Sequence, residues 1–209
     1  MLGGKQFRNF KNPNLIDSRE GFLPDSLPAS SLSKFPGIGY RCWKINGGLL
    51  TGAIIDDVVW SKNENFAFCR DGEHLAPDPN CHCGINVFND LPSDQDIVQG
   101  KANFIWGAVA IAGNTLVHDQ GARAEKGQIV GFYLPGLDYL QEKFSYEAIL
   151  QQRHKARLKE AERIAEAYEL PISYERIEFT RQVESLGKPL RHITKTKNET
   201  ELSMDDSVV

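Results

Sequence analysis

Short apolar runs separated by turn signals characterise the first two thirds of the chain. Residues 40–45 mix large apolar and polar side chains, as a half-buried strand does. An Asn-Gly-Gly turn at 46–48 tolerates positive φ and predicts a hairpin, with residues 49–51 as its second strand. Residues 104–111 form the most apolar run, which predicts a central strand. The Gly-Asn pair at 113–114 is expected to turn the chain into a separate strand.

Several further short strands complete the pattern, and polar or glycine-containing turns separate them. They are predicted at residues 54–60 (one strand broken by Asp56-Asp57), 66–69 (as a buried strand), 84–88, 115–118 and 128–134. Many short strands with close turns are typical of an antiparallel barrel or a strongly curved sheet. We therefore expect a small antiparallel β-barrel-like or curved-sheet body.

The hydrophobic period changes near residue 145, where apolar positions begin to recur every three or four residues. This spacing predicts one long C-terminal helix over about 145–169, with Ser145 as N-cap and Pro171 as stop. Its buried stripe is expected to contain Leu150, His154, Leu158, Ala161, Ala165 and Tyr168. Strands followed by a helix place the chain in the α+β class.

Polar segments flank this domain on both sides. Residues 1–36 are predicted to be an N-terminal polar arm, residues 37–180 the β-rich domain with its helix, and residues 181–209 a flexible polar tail. Residues 171–177 are expected to add an edge strand to the domain.

Composition and charge restrict the classes of function. Apolar residues make up 41% of the chain and charged residues 25%, which is typical of a soluble globular protein. The formal net charge of −4 does not attract nucleic acid or an anionic membrane. No apolar run reaches the roughly 18 residues needed to cross a bilayer. The first residues also lack a secretory apolar segment, so we expect a cytoplasmic protein with reduced cysteines.

The chemistry-bearing residues concentrate between positions 69 and 84, in a loop of the form C-x4-H-x6-C-x-C. Cys69, His74, Cys81 and Cys83 make a complete Cys3His set, which is a common ligand set for structural zinc. The prolines and glycines among them allow the loop to bend around one ion. Structural zinc more often uses C-x2-C, so the single residue between the last two cysteines is unusual.

Other interpretations of this loop stay open. The thiols could simply be buried in a tight loop, since free cysteine is often buried. Cys81 or Cys83 beside His74 or His82 could instead be a reactive thiol with a lowered pKa. Cys42, predicted to lie in a core strand, is the substitute fourth ligand if His74 faces solvent.

Three polar residues further along the chain are also candidate binding residues. His118 ends a predicted strand beside Asp119, where it would be a general base or, more commonly, a surface residue. Arg123 and Glu125 lie two residues apart and share one strand face. Such a pair would orient a loop, hold an anionic ligand or form a structural ion pair.

The predicted helix is rich in basic residues, which raises the question of nucleic-acid binding. Acidic residues follow at i,i+3 spacing, as in the pairs of Arg163 with Glu160 and Glu166, and this is typical of a solvated helix face. No aromatic residues are interleaved for base stacking. The pattern therefore disfavours nucleic acid as a partner.

An ordered set of short motifs runs through the domain. It comprises Tyr40-Arg-Cys-Trp43, Trp60, Cys69, His74-Leu-Ala-Pro77, Cys81-His-Cys83-Gly84-Ile85 and Gly121-Ala-Arg-Ala-Glu125. This set resembles a family of bacterial proteins of unknown function over roughly residues 38–172. The resemblance implies the domain boundaries and the cysteine site but no activity. Asn86 stands where a tyrosine is expected in that family.

Taken together, these features predict a non-enzymatic binding or adaptor protein with a structural zinc. Trp43, Trp60, Trp106 and the cysteine loop are expected to shape a groove for a protein or peptide partner. The alternative is an enzyme that uses a cysteine with His74 or His118, or a catalytic metal with an open position. Nucleic-acid binding through the helix is a third and weaker hypothesis.

Overall fold

One eight-stranded sheet forms the body of the protein and carries four helices in the part of the chain that the structure describes. The structure is a computed structural model and describes residues 37–53, 58–70, 72–144 and 147–190. The strands are β1 Gly37–Asn46, β2 Leu49–Gly52, β3 Asn65–Phe66, β4 Ile85–Phe88, β5 Phe104–His118, β6 Gly121–Tyr133, β7 Ile172–Ser173 and β8 Lys188–Pro189. The helices are α1 Asp94–Gln99, α2 Leu137–Lys143, α3 Ala148–Tyr168 and α4 Arg176–Leu186.

Four strands pair in a closed cycle, which makes the sheet curve. β1 pairs with β5, β5 with β6 and β6 with β4, all antiparallel, and a Tyr40–Phe88 pair joins β4 back to β1. β2 and β3 extend β1 and β6 as antiparallel strands, whereas β7 and β8 add to β6 and β1 as short parallel strands. The predicted mixture of helix and strand-rich sheet is confirmed.

Glycines allow two irregularities that the sheet needs. Gly47 and Gly48 have φ of 59° and 81°, which confirms the hairpin turn between β1 and β2. Gly113, with φ of 76°, lies in a bulge where the strand pairing shifts between Ala112 and Thr115. The expected turn at 113–114 is therefore wrong: β5 continues through it as one strand of 15 residues, because the bulge absorbs the extra residue.

Helix α3 packs its apolar stripe onto the sheet, as its sequence period predicts. The Tyr168 hydroxyl donates a hydrogen bond to the Trp60 carbonyl at 2.7 Å and accepts one from the Leu50 amide at 3.0 Å. This end of the helix is thereby fixed to β2 and to the segment that follows it. The buried positions of α3 are His154, Arg157, Leu158, Ala161, Ile164, Ala165 and Tyr168.

Buried Arg157 connects α3 to the short helix α1. Its Nε donates to the Phe104 carbonyl at 2.7 Å, and its Nη1 donates to the Ile97 carbonyl at 2.5 Å. Ile97 lies near the C-terminus of α1, where unpaired carbonyls and the helix dipole favour a cation. Burial lowers the pKa of Arg157 to about 10, so it remains charged near neutral pH.

The region after α3 differs from its prediction. Only Ile172–Ser173 of the expected edge strand is β structure, and α4 begins at Arg176, whose side chain binds the Asp94 carboxylate at 2.7 Å. Residues 181–190, predicted to belong to a flexible tail, lie in α4 and β8 and end at the fully buried Leu190. Phe179 and Val183, one turn apart, bury one face of α4 and explain the difference.

Other predictions are settled only partly. Phe66 and Phe68 are exposed, so the short strand before the cysteine loop is not buried as expected. The predicted arm (1–36), residues 54–57 of the strand at 54–60, the cap at Ser145 and the tail beyond residue 190 lie outside the described residues. Among the described helices, none combines the length and apolarity needed to cross a membrane.

Candidate metal centre

The cysteine loop connects β3 to β4 and lies against β6. Cys69 follows β3 by three residues, and Cys83 precedes β4 by two. Between them the loop turns at Asp78, whose carboxylate accepts the Asn80 amide at 2.8 Å and whose carbonyl accepts the Cys81 amide at 3.2 Å. The loop is therefore organised by turns, as its prolines and glycines predict.

The structure brings the four predicted ligands together. The ligand atoms of Cys69, His74, Cys81 and Cys83 all lie within 4.8 Å of one another. The Cys69 and Cys81 sulfurs are 3.6 Å apart, and His74 Nε2 is 3.3 Å from the Cys83 sulfur. Bond lengths typical of zinc place two sulfurs about 3.8 Å apart in a tetrahedron, and a sulfur and a nitrogen about 3.6 Å apart. These four side chains can hold a metal ion.

Hydrogen bonding and burial distinguish the thiols of the loop. The backbone amide of Cys83 donates to the Cys81 sulfur and lowers the pKa of that thiol. Burial has the opposite effect on Cys83 and raises its pKa to about 11. Metal ligation requires thiolates, so binding an ion here releases protons.

Cys42 is separate from this cluster. It is buried in β1, and burial raises the pKa of its thiol to about 12. Its sulfur lies 3.8 Å from the Trp43 carbonyl and is not among the clustered ligand atoms. His74, and not Cys42, therefore joins the three cysteines in the cluster that could hold a metal ion.

Arg123 on β6 holds the cysteine loop by its backbone. Its side chain is buried, with 1% exposure, and Nη1 donates to the carbonyls of Asp78 at 3.3 Å and Cys83 at 3.2 Å. The same nitrogen also donates to the Cys81 carbonyl. Arg123 thus connects the strand that pairs with β4 to the segment carrying two of the four candidate ligands.

Gly84 makes the close contact between loop and sheet possible. Its φ is 125°, a conformation that side-chain-bearing residues rarely adopt. A Cβ at this position would lie 3.1 Å from the Cβ atoms of both Arg123 and Pro77. Glycine is therefore required where the chain leaves the last cysteine and enters β4.

The other polar candidates have separate partners. The Nε of Arg123 donates to His118 Nε2 at 3.2 Å, and burial lowers the pKa of His118 to about 4. Glu125 instead accepts the Asn114 amide at the β5 bulge, at 3.0 Å. Arg123 by itself orients the loop, whereas Glu125 stabilises the bulge.

The three tryptophans lie in the core. Trp43, Trp60 and Trp106 are 0%, 4% and 5% exposed, and Trp43 packs edge-on against Trp60 and Phe132. The predicted groove is therefore not formed by the indole rings in this conformation. Exposed apolar side chains lie instead within the loop and just before it in the chain, at Phe66, Phe68 and Leu75, with 60%, 58% and 84% exposure.

The sequence did not predict the structural roles of Asp78 and Gly84, nor that the Arg123 side chain donates to the backbone of the cysteine loop. Asp78 between two prolines is a turn signal, and a glycine directly after a cysteine ligand indicates an unusual φ. The partners of Arg123 in the loop have no local signal, because they lie 40 and 45 residues away along the chain.

Comparisons with models of known protein families, with curated proteins and with solved structures give no significant match.

Proposed function

We propose that this protein is a non-enzymatic binding or adaptor protein whose 69–84 loop is ordered by a structural zinc ion. The observation that carries the proposal is the convergence of three sulfurs and one imidazole nitrogen within 4.8 Å. A loop with several prolines and glycines buries little apolar surface, and a metal ion supplies the missing stabilisation.

The ligand set supports zinc over other common ions. Thiolate and imidazole ligands suit a borderline-soft ion, whereas magnesium and calcium prefer oxygen. Zinc in a tetrahedral Cys3His set has no vacant position for a substrate or water. A closed site of this kind favours a structural role over catalysis.

The environment of His118 argues against an enzyme with a histidine base. Its Nε2 accepts a hydrogen bond from Arg123, and burial keeps its pKa at about 4. A base of that kind takes up few protons near neutral pH. A partner-binding role is supported instead by Phe66, Phe68 and Leu75, which expose apolar surface within the loop and just before it in the chain.

Elemental analysis of protein purified without a metal-affinity tag tests the metal. We expect one zinc per chain in the wild type and less than a tenth of that in Cys83→Ser. The matched control is Cys42→Ser, which changes a cysteine outside the cluster and should keep its zinc. Metal-free wild-type protein that is fully folded contradicts the proposal, especially if one thiol alkylates unusually fast at about pH 6.

Comparative capture from a lysate tests the adaptor role. We expect a partner that is retained by the wild type and lost by Phe68→Ser and Leu75→Ser. Ile149→Ser on α3 is the control, because Ile149 is similarly exposed, at 77%, but lies outside the loop. Equal retention by all three variants contradicts a partner surface at the loop.

A further inference from the structure

The 69–84 loop reaches four-ligand geometry despite its unusual C-x-C spacing, and Arg123 provides a physical reason. In a C-x2-C knuckle the turn itself directs two sulfurs toward one ion. Here only His82 separates Cys81 from Cys83. Two residues at i and i+2 point their side chains to the same side of an extended backbone, but they are about 6.6 Å apart along it, whereas two sulfurs on one zinc ion lie about 3.8 Å apart. Something must therefore bend this segment.

The contacts of Arg123 supply that bend. A single nitrogen, Nη1, donates hydrogen bonds to the carbonyls of both Cys81 and Cys83, and also to that of Asp78. Carbonyls two residues apart that converge on one donor require a curved backbone. The curvature shortens the distance between the two sulfurs, and Cys69 and His74 complete the cluster.

Charge adds to this geometric effect. Three thiolates and one neutral imidazole around a divalent ion carry a net charge of −1. Partial burial of an anion is unfavourable unless a cation lies close to it. Arg123 is 1% exposed, and the charges that act on it most strongly are those of Cys83, Cys81 and Asp78.

His118 fixes the guanidinium from the other side. Nε of Arg123 donates to His118 Nε2 at 3.2 Å, which directs Nη1 toward the loop. The backbone of Gly84 also packs closely against the Arg123 side chain, because a Cβ added to Gly84 would lie only 3.1 Å from Arg123 Cβ.

We propose that Arg123, oriented by His118, is the positioning residue that closes the C-x-C segment around the metal and compensates the charge of the centre. This inference rests on the proposed metal site and deepens it. Arginine is needed because its rigid planar fork donates in two directions at once, which a lysine ammonium on a flexible stem does not reproduce.

Metal affinity measured by competition with a chromophoric chelator tests the inference. We compare the wild type with Arg123→Met, Arg123→Lys and His118→Leu. The control is Arg163→Met, which changes an exposed arginine on α3. We expect Arg123→Met to weaken zinc binding about 10- to 100-fold, the usual effect of losing an outer partner of a metal site. Arg123→Lys keeps the charge but loses the fork, so it should recover only part of this affinity.

A spectroscopic measurement separates positioning from general stability. Cobalt(II) bound to the wild type should show intense visible bands of a tetrahedral site and sulfur-to-metal absorption from three thiolates. In Arg123→Met and Arg123→Lys the sulfur-to-metal absorption should fall by about a third as one cysteine leaves the ion. A merely structural substitution such as Arg163→Met leaves this spectrum unchanged.

The outcomes distinguish this inference from the proposed function. Wild-type protein that binds neither zinc nor cobalt overturns both. Wild-type binding with the same affinity and the same cobalt spectrum in Arg123→Met overturns the inference alone. If Arg123→Met does not fold, His118→Leu decides, because it leaves the arginine in place: an affinity within twofold of the wild type overturns the positioning role.

Discussion

Substitution of Gly84 by alanine should destabilise the protein through its contact with the metal loop. Gly84 has φ of 125°, and its missing Cβ would lie 3.1 Å from the Cβ atoms of Arg123 and Pro77. Carbon atoms pack best at about 3.5–4.0 Å, so the alanine methyl group is crowded from two sides. The neighbours that must move are Arg123, which holds the loop by its carbonyls, and Pro77, a buried proline of the loop itself.

The expected magnitude has two parts. The backbone conformation costs a residue with a side chain about 1–3 kcal/mol. Crowding against Arg123 and Pro77 adds about 1 kcal/mol, at the lower end for overpacking by one methyl group. We therefore expect Gly84→Ala to lower the free energy of unfolding by about 2–4 kcal/mol.

Gly48→Ala is a matched control that isolates the crowding. Gly48 also has positive φ, 81°, but nothing lies within 4 Å of the position its Cβ would take. The control should show only the conformational cost. Urea unfolding monitored by tryptophan fluorescence measures the free energy of unfolding of both variants. Each is measured once in the presence of a chelator and once with one equivalent of zinc.

Metal affinity provides a second readout of the same pair. Gly84→Ala displaces Arg123 or Pro77 and should weaken zinc binding, whereas Gly48→Ala should leave it unchanged. Equal losses of stability in the two variants, together with equal zinc affinities, would refute the reasoning from the Gly84 contacts.

Three further predictions concern buried polar groups. Arg157→Ala should cost about 3–5 kcal/mol because it leaves two buried carbonyls unpaired, whereas exposed Arg163→Ala should stay within about 0.5 kcal/mol in the same urea experiment. Burial lowers the pKa of His154 from 6.5 to about 4, so the unfolded chain takes up a proton at a higher pH than the folded protein does. The free energy of unfolding should therefore fall by up to about 1.4 kcal/mol per pH unit as the pH drops from 6.5 to 4. The fall should be less steep in His154→Gln. Above pH 6.5 the two should show the same pH dependence, and identical slopes below it would contradict the assignment. Mild peroxide treatment of metal-free protein should join Cys69 to Cys81, whose sulfurs are 3.6 Å apart, before it modifies buried Cys42, as peptide mapping by mass spectrometry can verify; a bridge to Cys42 would contradict this order.

Local patterns predicted the elements that local physics determines. The Asn-Gly-Gly hairpin follows from the tolerance of glycine for positive φ, and α3 follows from an apolar stripe that recurs at helical spacing along its 21 residues. Helix α4 was missed because only Phe179 and Val183 mark its buried face among polar residues. The Gly-Asn pair at 113–114 is equally compatible with a turn and with a bulge, and pairing with β6 decides between them.

The candidate site shows the same division between local and long-range information. The ligand set could be predicted because all four residues lie within fifteen positions of the chain. The support for the loop could not, because it depends on the register that places Arg123 opposite Asn86, between β6 and β4. The exposure of Phe66 and Phe68 has the same origin: β3 lies at the sheet edge, which an apolar alternation does not reveal.

The parallel pairing of β1 with β8 has a consequence for how the protein folds. Gly37 and Ile38 pair with Lys188 and Pro189, and Leu190 fills the space above Gly37 and Gly39. At a synthesis rate of 5–20 residues per second, β1 waits roughly 8–30 s after leaving the ribosome before its last partner is made. Contacts this distant in sequence slow folding. Until β8 arrives, the Gly37–Ile38 end of β1 lacks this partner, although β2, β4 and β5 already pair with the strand, so the nascent domain is open there to chaperones and to pairing with other chains.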